Sequence, residues 1–84
     1  MGVTRFGGYS TVINTQGDYL TPLPLGWSHQ QGAAYLVQTL TAYYALTELG
    51  NIKPSQTVLI HSAAGGVGLQ AMKLVVALGA KPVG

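Results

Sequence analysis

The amino-acid sequence predicts an α/β fold, and three observations carry that prediction. The apolar run Thr57-Val58-Leu59-Ile60 leads straight into a glycine-rich stretch, His61-Ser62-Ala63-Ala64-Gly65-Gly66-Val67-Gly68. Beyond it, Leu69, Met72, Val75, Val76 and Leu78 recur at helical spacing. Upstream, a longer helical pattern follows a β-branched, proline-punctuated segment. The predicted order is strand-rich piece, helix, strand, glycine turn, helix and incipient strand, so the second half reads as a βαβ unit.

Taken in order, Gly7 to Asn14 is β-branched and predicts a strand. Gly17-Asp18 marks a turn and Tyr19-Leu20 a short extended piece. Pro22 and Pro24 hold an irregular connection, because each proline fixes φ and pushes its predecessor towards extended backbone. Ser28 is placed to cap a helix, and Gln31 three residues later completes a capping box. Ala33, Leu36, Val37, Leu40, Tyr43 and Tyr44 then form the expected buried face. Gly50 is expected to stop this helix in a left-handed conformation. Gly32, Thr39 and Thr41 weaken its middle, which leaves two shorter helices with a bend equally open. A turn over 51–55 precedes the strand Thr57–His61, a second helix begins near Val67 and ends at Gly79, and Lys81–Gly84 starts a further strand.

The chain has 84 residues, enough for one small domain. Hydrophobic residues make up 48% and charged residues only 7%, against roughly 25% charged in ordinary globular proteins. So little charge implies a surface meant to lie against other protein. The net charge of +2 rests on Arg5, Lys53, Lys73 and Lys81, which are scattered rather than clustered. Nucleic acid demands a basic stripe, so that partner class is excluded. There is no cysteine, hence no disulfide framework and no thiolate metal site, which fits a cytoplasmic setting. No basic segment followed by an apolar one marks a signal peptide. No apolar run reaches the ~18–20 residues of a membrane span.

The glycine stretch resembles the dinucleotide fingerprint, which sets Gly-x-Gly-x-x-Gly between a strand and a helix. Here the frame reads Ala63-Ala64-Gly65-Gly66-Val67-Gly68, with alanine in the first glycine position. Gly65 would let backbone approach a pyrophosphate, Gly68 would allow close helix–strand packing, and Ala63 must take a conformation open to an L-residue. A glycine turn that only connects strand to helix stays open beside this reading. A mononucleotide P-loop is excluded, since Gly68 is followed by Leu69-Gln70 and not by Lys-Ser/Thr.

Other chemistries lack the residues. Asp18 and Glu48 are the only carboxylates, and His29 and His61 have no short metal-ligand spacing. The adjacent His61-Ser62 pair is a poor nucleophile–base arrangement, and Tyr43-Tyr44 reads as core. This inventory suits a reaction whose chemistry a cofactor carries, with the protein supplying position.

The stretch Ala33-Ala34, Thr41-Ala42-Tyr43, Val58 to His61, Ala63 to Gly68, Lys73 and Leu78-Gly79-Ala80 resembles the medium-chain dehydrogenases/reductases. It is most similar to their zinc-independent NADPH:quinone oxidoreductase branch, over nearly the whole chain. The resemblance implies that residues 1–30 close a GroES-like β-barrel catalytic domain, 28–50 form an interdomain helical segment, and 56–84 open a Rossmann domain. It implies a pyrophosphate held by backbone around Ala64, Gly65, Gly66, Val67 and Gly68, with Thr41 beside the nicotinamide. Zinc-dependent relatives carry a cysteine ligand four residues before that threonine, where this chain has Val37, so no metal site is implied. NADPH is the implied cofactor, with NADH open because the discriminating residue would fall past Gly84.

The strand Thr57–His61 would sit inside a parallel sheet with both faces covered, so the expected architecture is a partial fold. In the intact enzyme hydride would pass from NADPH to a quinone or an activated alkene or carbonyl compound. These 84 residues alone are not expected to catalyse it. The alternative is a non-catalytic interaction or assembly module on the same fold piece, including strand-paired homo-oligomers.

Overall fold

The computed structural model describes all residues from Met1 to Gly84. The chain divides into two compact units, Met1–Val37 and Gln38–Gly84. Its helices are α1 (His29–Tyr44) and α2 (Gly66–Ala77), and its strands are β1 (Thr57–Leu59) and β2 (Lys81–Val83). The mixed α/β character predicted from the pattern is present.

The first unit departs from the predicted strand over Gly7–Asn14, since no strand forms there. Gly7 takes φ +80° and turns the chain. The Ser10 hydroxyl lies 2.6 Å from the Gly7 carbonyl oxygen and 3.0 Å from that of Val12, a local arrangement that competes with strand pairing. β-Branched composition makes a strand only where another strand offers partners, and Phe6, Tyr9 and Val12 all lie exposed. Gly17–Tyr19 forms a 3₁₀ turn. Leu20 is extended as expected and bridges antiparallel to Gly2. The N-terminal ammonium donates to Thr21 O at 2.7 Å, and the Thr21 N–H donates back to Met1 O at 2.9 Å.

The capping box forms as read from the sequence. Ser28 Oγ accepts the Gln31 N–H at 3.1 Å, and Gln31 Oε1 accepts the Ser28 N–H at 2.8 Å. Trp27 meets Tyr35 edge to face, ring centroids 4.8 Å apart. Gly32 is buried, and a Cβ there would strike Leu23 Cδ1. Ser28→Ala removes one of the two reciprocal bonds and is expected to cost about 1 kcal/mol. A lower urea midpoint at unchanged slope is the measurement that checks it.

α1 runs unbroken through Gly32, Thr39 and Thr41 to Tyr44, then widens into a π-helical segment, Ala45–Leu49. Its closure corrects the role given to Gly50, whose φ is −80°. The left-handed residue is Asn51, at φ 45°, a side chain that tolerates this region. The Asn51 N–H donates to Thr47 O at 3.0 Å and the Ile52 N–H to Leu46 O at 3.1 Å. Each bond spans one residue more than in a Schellman closure, as the wider π turn requires.

The face expected to be buried on α1 is also corrected. Val37, Leu40, Tyr43 and Tyr44 are exposed, whereas Ala42 and Leu46 enter the core. That core joins Ala42, Leu46, Ala71 and Val75, with Ile52, Val58, Ile60, Leu74 and Ala80 packed around it. Apolar residues sit nearly all round α1, so periodicity does not single out one stripe; small side chains take the closest contacts.

α2 ends as predicted at Gly79, which adopts φ +77°. The Gly79 N–H donates to Val76 O at 3.0 Å and the Ala80 N–H to Val75 O at 3.0 Å, a full Schellman motif. β1 and β2 pair in parallel, Thr57 opposite Lys81, Val58 opposite Pro82 and Leu59 opposite Val83. Flanking bonds run from the Lys81 N–H to Gln56 O and from the Ile60 N–H to Val83 O, both 2.8 Å. Pro82 thereby turns its donorless nitrogen away from β1, as a proline in a strand must. β1 is shorter than the predicted Thr57–His61, because His61 already lies in the turn that follows.

Candidate functional site

The turn between β1 and α2 is built from backbone. Ser62 is left-handed at φ 56°, and its carbonyl accepts the Gly65 N–H at 2.9 Å. Gly65 is the N-cap residue, extended at φ −76° and ψ 170°, and brings no side chain to cap the helix. The Leu69 N–H makes the first intrahelical bond, to Gly65 O at 2.8 Å. The N–H groups of Gly66, Val67 and Gly68 therefore have no acceptor within α2. No acidic residue occupies its first turn, so the positive end of the helix dipole is not neutralised there.

The glycines do separate work. Gly68 is buried, and a Cβ on it would strike Ser62 O and lie 2.8 Å from Ala63 Cα. This is the close packing expected of the last glycine in the frame. A Cβ on Gly65 would meet only Ser62 O, at 3.2 Å, which leaves its outer side open. Ala63 lies outside the left-handed region, and the left-handed conformation falls one residue earlier, on Ser62. Sequence reasoning missed Ser62, and nothing in its residue type signals a positive φ. At the other end of the unit, a Cβ on Gly84 would meet the Ala63 side chain and Ile60 O, which puts the end of β2 beside the turn.

Gly66 introduces a residue that sequence reasoning also missed. A Cβ there would fall 2.5 Å from Gln38 Nε2, 2.7 Å from Cδ and 3.0 Å from Oε1, so the carboxamide lies against the first residue of α2. The structure thus brings Ala64, Gly65, Gly66, Val67 and Gly68 together as one turn, with Gln38 of α1 on it. Thr41 follows Gln38 by three residues, on the next turn of the same side of α1, and is exposed. No group of three or more His, Cys, Asp or Glu converges. No helix is long and apolar enough to cross a membrane.

No family model matches the chain. Curated proteins do. Quinone oxidoreductase 1 of Escherichia coli is 46% identical over 81 residues, 96% of this chain and 25% of that protein. A pikromycin polyketide synthase component of Streptomyces venezuelae is 44% identical over 68 residues, 81% of this chain and 2% of that protein. Among solved structures, the quinone oxidoreductase of Thermus thermophilus, determined also in complex with NADPH, superposes with a TM-score of 0.90 at 33% identity. That match covers 96% of this chain and 27% of the Thermus chain. The CurK enoyl reductase follows with a TM-score of 0.76 at 38% identity, over 81% of this chain and 20% of that one. The chain spans about a quarter of the length of the quinone oxidoreductases it matches. Similar over 96% of its length to these quinone oxidoreductases in both sequence and structure, the chain fits, as a segment, the quinone-oxidoreductase-like branch of the medium-chain dehydrogenases/reductases.

Proposed function

We propose that this chain is a segment of a nicotinamide-dependent oxidoreductase, in which hydride passes from NADPH to a quinone or an activated alkene or carbonyl compound. One observation carries the reading. The N–H groups of Gly66, Val67 and Gly68 lack acceptors within α2, just past the C-terminal end of the parallel strand β1. Parallel α/β sheets bind their ligands at that end, and an anion is what such N–H groups and a helix dipole select. A pyrophosphate fits, since Gly65 leaves its outer side open and no carboxylate opposes it.

Bound NADPH would supply the hydride. The chain's own part is to hold it: Gly66, Val67 and Gly68 donate to pyrophosphate oxygens, Ala64 and Gly65 shape the approach, and Thr41 is assigned to the nicotinamide end. Residues 1–30 are assigned to the end of a GroES-like domain, 28–50 to an interdomain segment and 56–84 to the start of a Rossmann domain. Val37 in place of a cysteine ligand makes the proposed chemistry zinc-free. NADPH is preferred to NADH because the Thermus relative was solved with NADPH. The two acceptor classes follow the quinone and enoyl reductases among the relatives.

Spanning about a quarter of the length of the quinone oxidoreductases it matches, the chain is expected to hold NADPH weakly, with Kd on the order of millimolar, and to leave quinone unreduced. Backbone amide shifts at Gly66, Val67 and Gly68 during an NADPH titration test the first part; their absence overturns the pyrophosphate reading. Quinone-dependent loss of NADPH absorbance with these residues alone would overturn the second.

The exposed Val37, Leu40 and Tyr44 on α1 and Leu59 on β1 also suit an assembly module. In a segment of a larger enzyme the rest of that enzyme covers the same side chains. Sedimentation separates the readings, since a discrete homo-oligomer supports assembly and a monomer counts against it.

A further inference from the structure

We propose that Gln38 is a cofactor-positioning residue, whose carboxamide joins the Gly66–Gly68 N–H groups in holding the pyrophosphate; the inference rests on the pyrophosphate reading above. Three facts converge on it. The Gln38 carboxamide lies over Gly66, within 3.0 Å of where a Cβ would stand. It is half-buried and makes no hydrogen bond within the chain. The groups beside it are N–H donors that also lack intrahelical acceptors.

The Gln38 amide is not among the buried side-chain polar atoms that lack a partner, so its NH2 group is open to a ligand at the turn. A bound anion would engage it, because the NH2 group supplies two further donors to an anion already drawn by the α2 dipole. The contact also gives Gly66 its own reason to be glycine. Its backbone is not left-handed, so conformation does not demand it; a side chain there would push the Gln38 amide off the turn. Gly66 and Gln38 are thus one device, unlike Gly68, whose neighbours are backbone.

The test is an NADPH titration of the isotope-labelled chain, following the Gln38 side-chain NH2 together with the backbone amides of Gly66, Val67 and Gly68. All four signals are expected to move with one Kd. Gln38→Met keeps the volume and removes the donors, and is expected to raise Kd about fivefold. Gln38→Glu sets a negative charge against the phosphates and is expected to raise it more than about tenfold. Gly66→Ala displaces the amide without removing any N–H, so it should match Gln38→Met, and the double variant should be no worse than either. If the backbone amides move while the Gln38 NH2 stays still, or if Met and Glu variants bind as the parent does, Gln38 is only a packing residue and the proposal falls. If no amide moves at all, the pyrophosphate reading falls and takes this inference with it.

Discussion

Gly68→Ala is expected to destabilise the chain by about 3 kcal/mol, the upper end of what overpacking costs. The added methyl would strike the Ser62 carbonyl oxygen and sit 2.8 and 2.9 Å from the Ala63 Cα and carbonyl carbon. These are backbone atoms, and no rotamer change relieves them. Relief requires α2 to back away from the turn, which breaks the Gly65-to-Ser62 bond or unpacks Ala71 and Val75 behind it. Gly65→Ala is the control. Its nearest neighbour would be one oxygen at 3.2 Å, and its φ of −76° suits any residue, so less than about 1 kcal/mol is expected. Urea denaturation of the two variants should separate their midpoints clearly. Equal midpoints would mean that α2 is free to shift, and the turn would lose its claim to a fixed geometry.

The contrast between the two glycines also marks what a sequence can and cannot carry. Features written in local residue chemistry are legible: the Ser28–Gln31 box, the Gly79 closure and the succession of β1, glycine turn and α2 all form as read. Features decided by a partner elsewhere in the chain are not. The Gly7–Asn14 run has strand composition but lacks a neighbour to pair with, so Gly7 and Ser10 settle it as a loop. Ala42 and Leu46 enter the core of the second unit while Val37 and Leu40 do not, because both faces of α1 are apolar and packing alone chooses. Gln38 is the same case within the site. It reads as an ordinary polar helix residue, and only the fold brings its amide onto Gly66. Ser62 is a further case, since the left-handed conformation of the turn falls on a residue with no sequence mark for it.

Val75→Ala is expected to cost about 2 kcal/mol, from the lost burial of two carbons and the cavity they leave. Val76→Ala, one residue on, should cost less than about 0.5 kcal/mol. Both valines belong to the apolar pattern of α2, yet Val75 is 0% exposed and Val76 62%. Val75 also anchors the far end of the helix, since its carbonyl accepts the Ala80 N–H and Ala80 packs on the same core. The turn is fixed at the opposite end, by Gly68 against Ser62 and Ala63. Val75→Ala should therefore lower the unfolding midpoint while leaving the NADPH-induced shifts at Gly66, Val67 and Gly68 unchanged below it. Gly68→Ala should lower the midpoint and abolish those shifts together. If Val75→Ala erased the shifts in chain that is still folded, the turn would depend on the whole helix rather than on its own backbone contacts. The glycine cradle would then be a product of core packing and not a locally encoded structure.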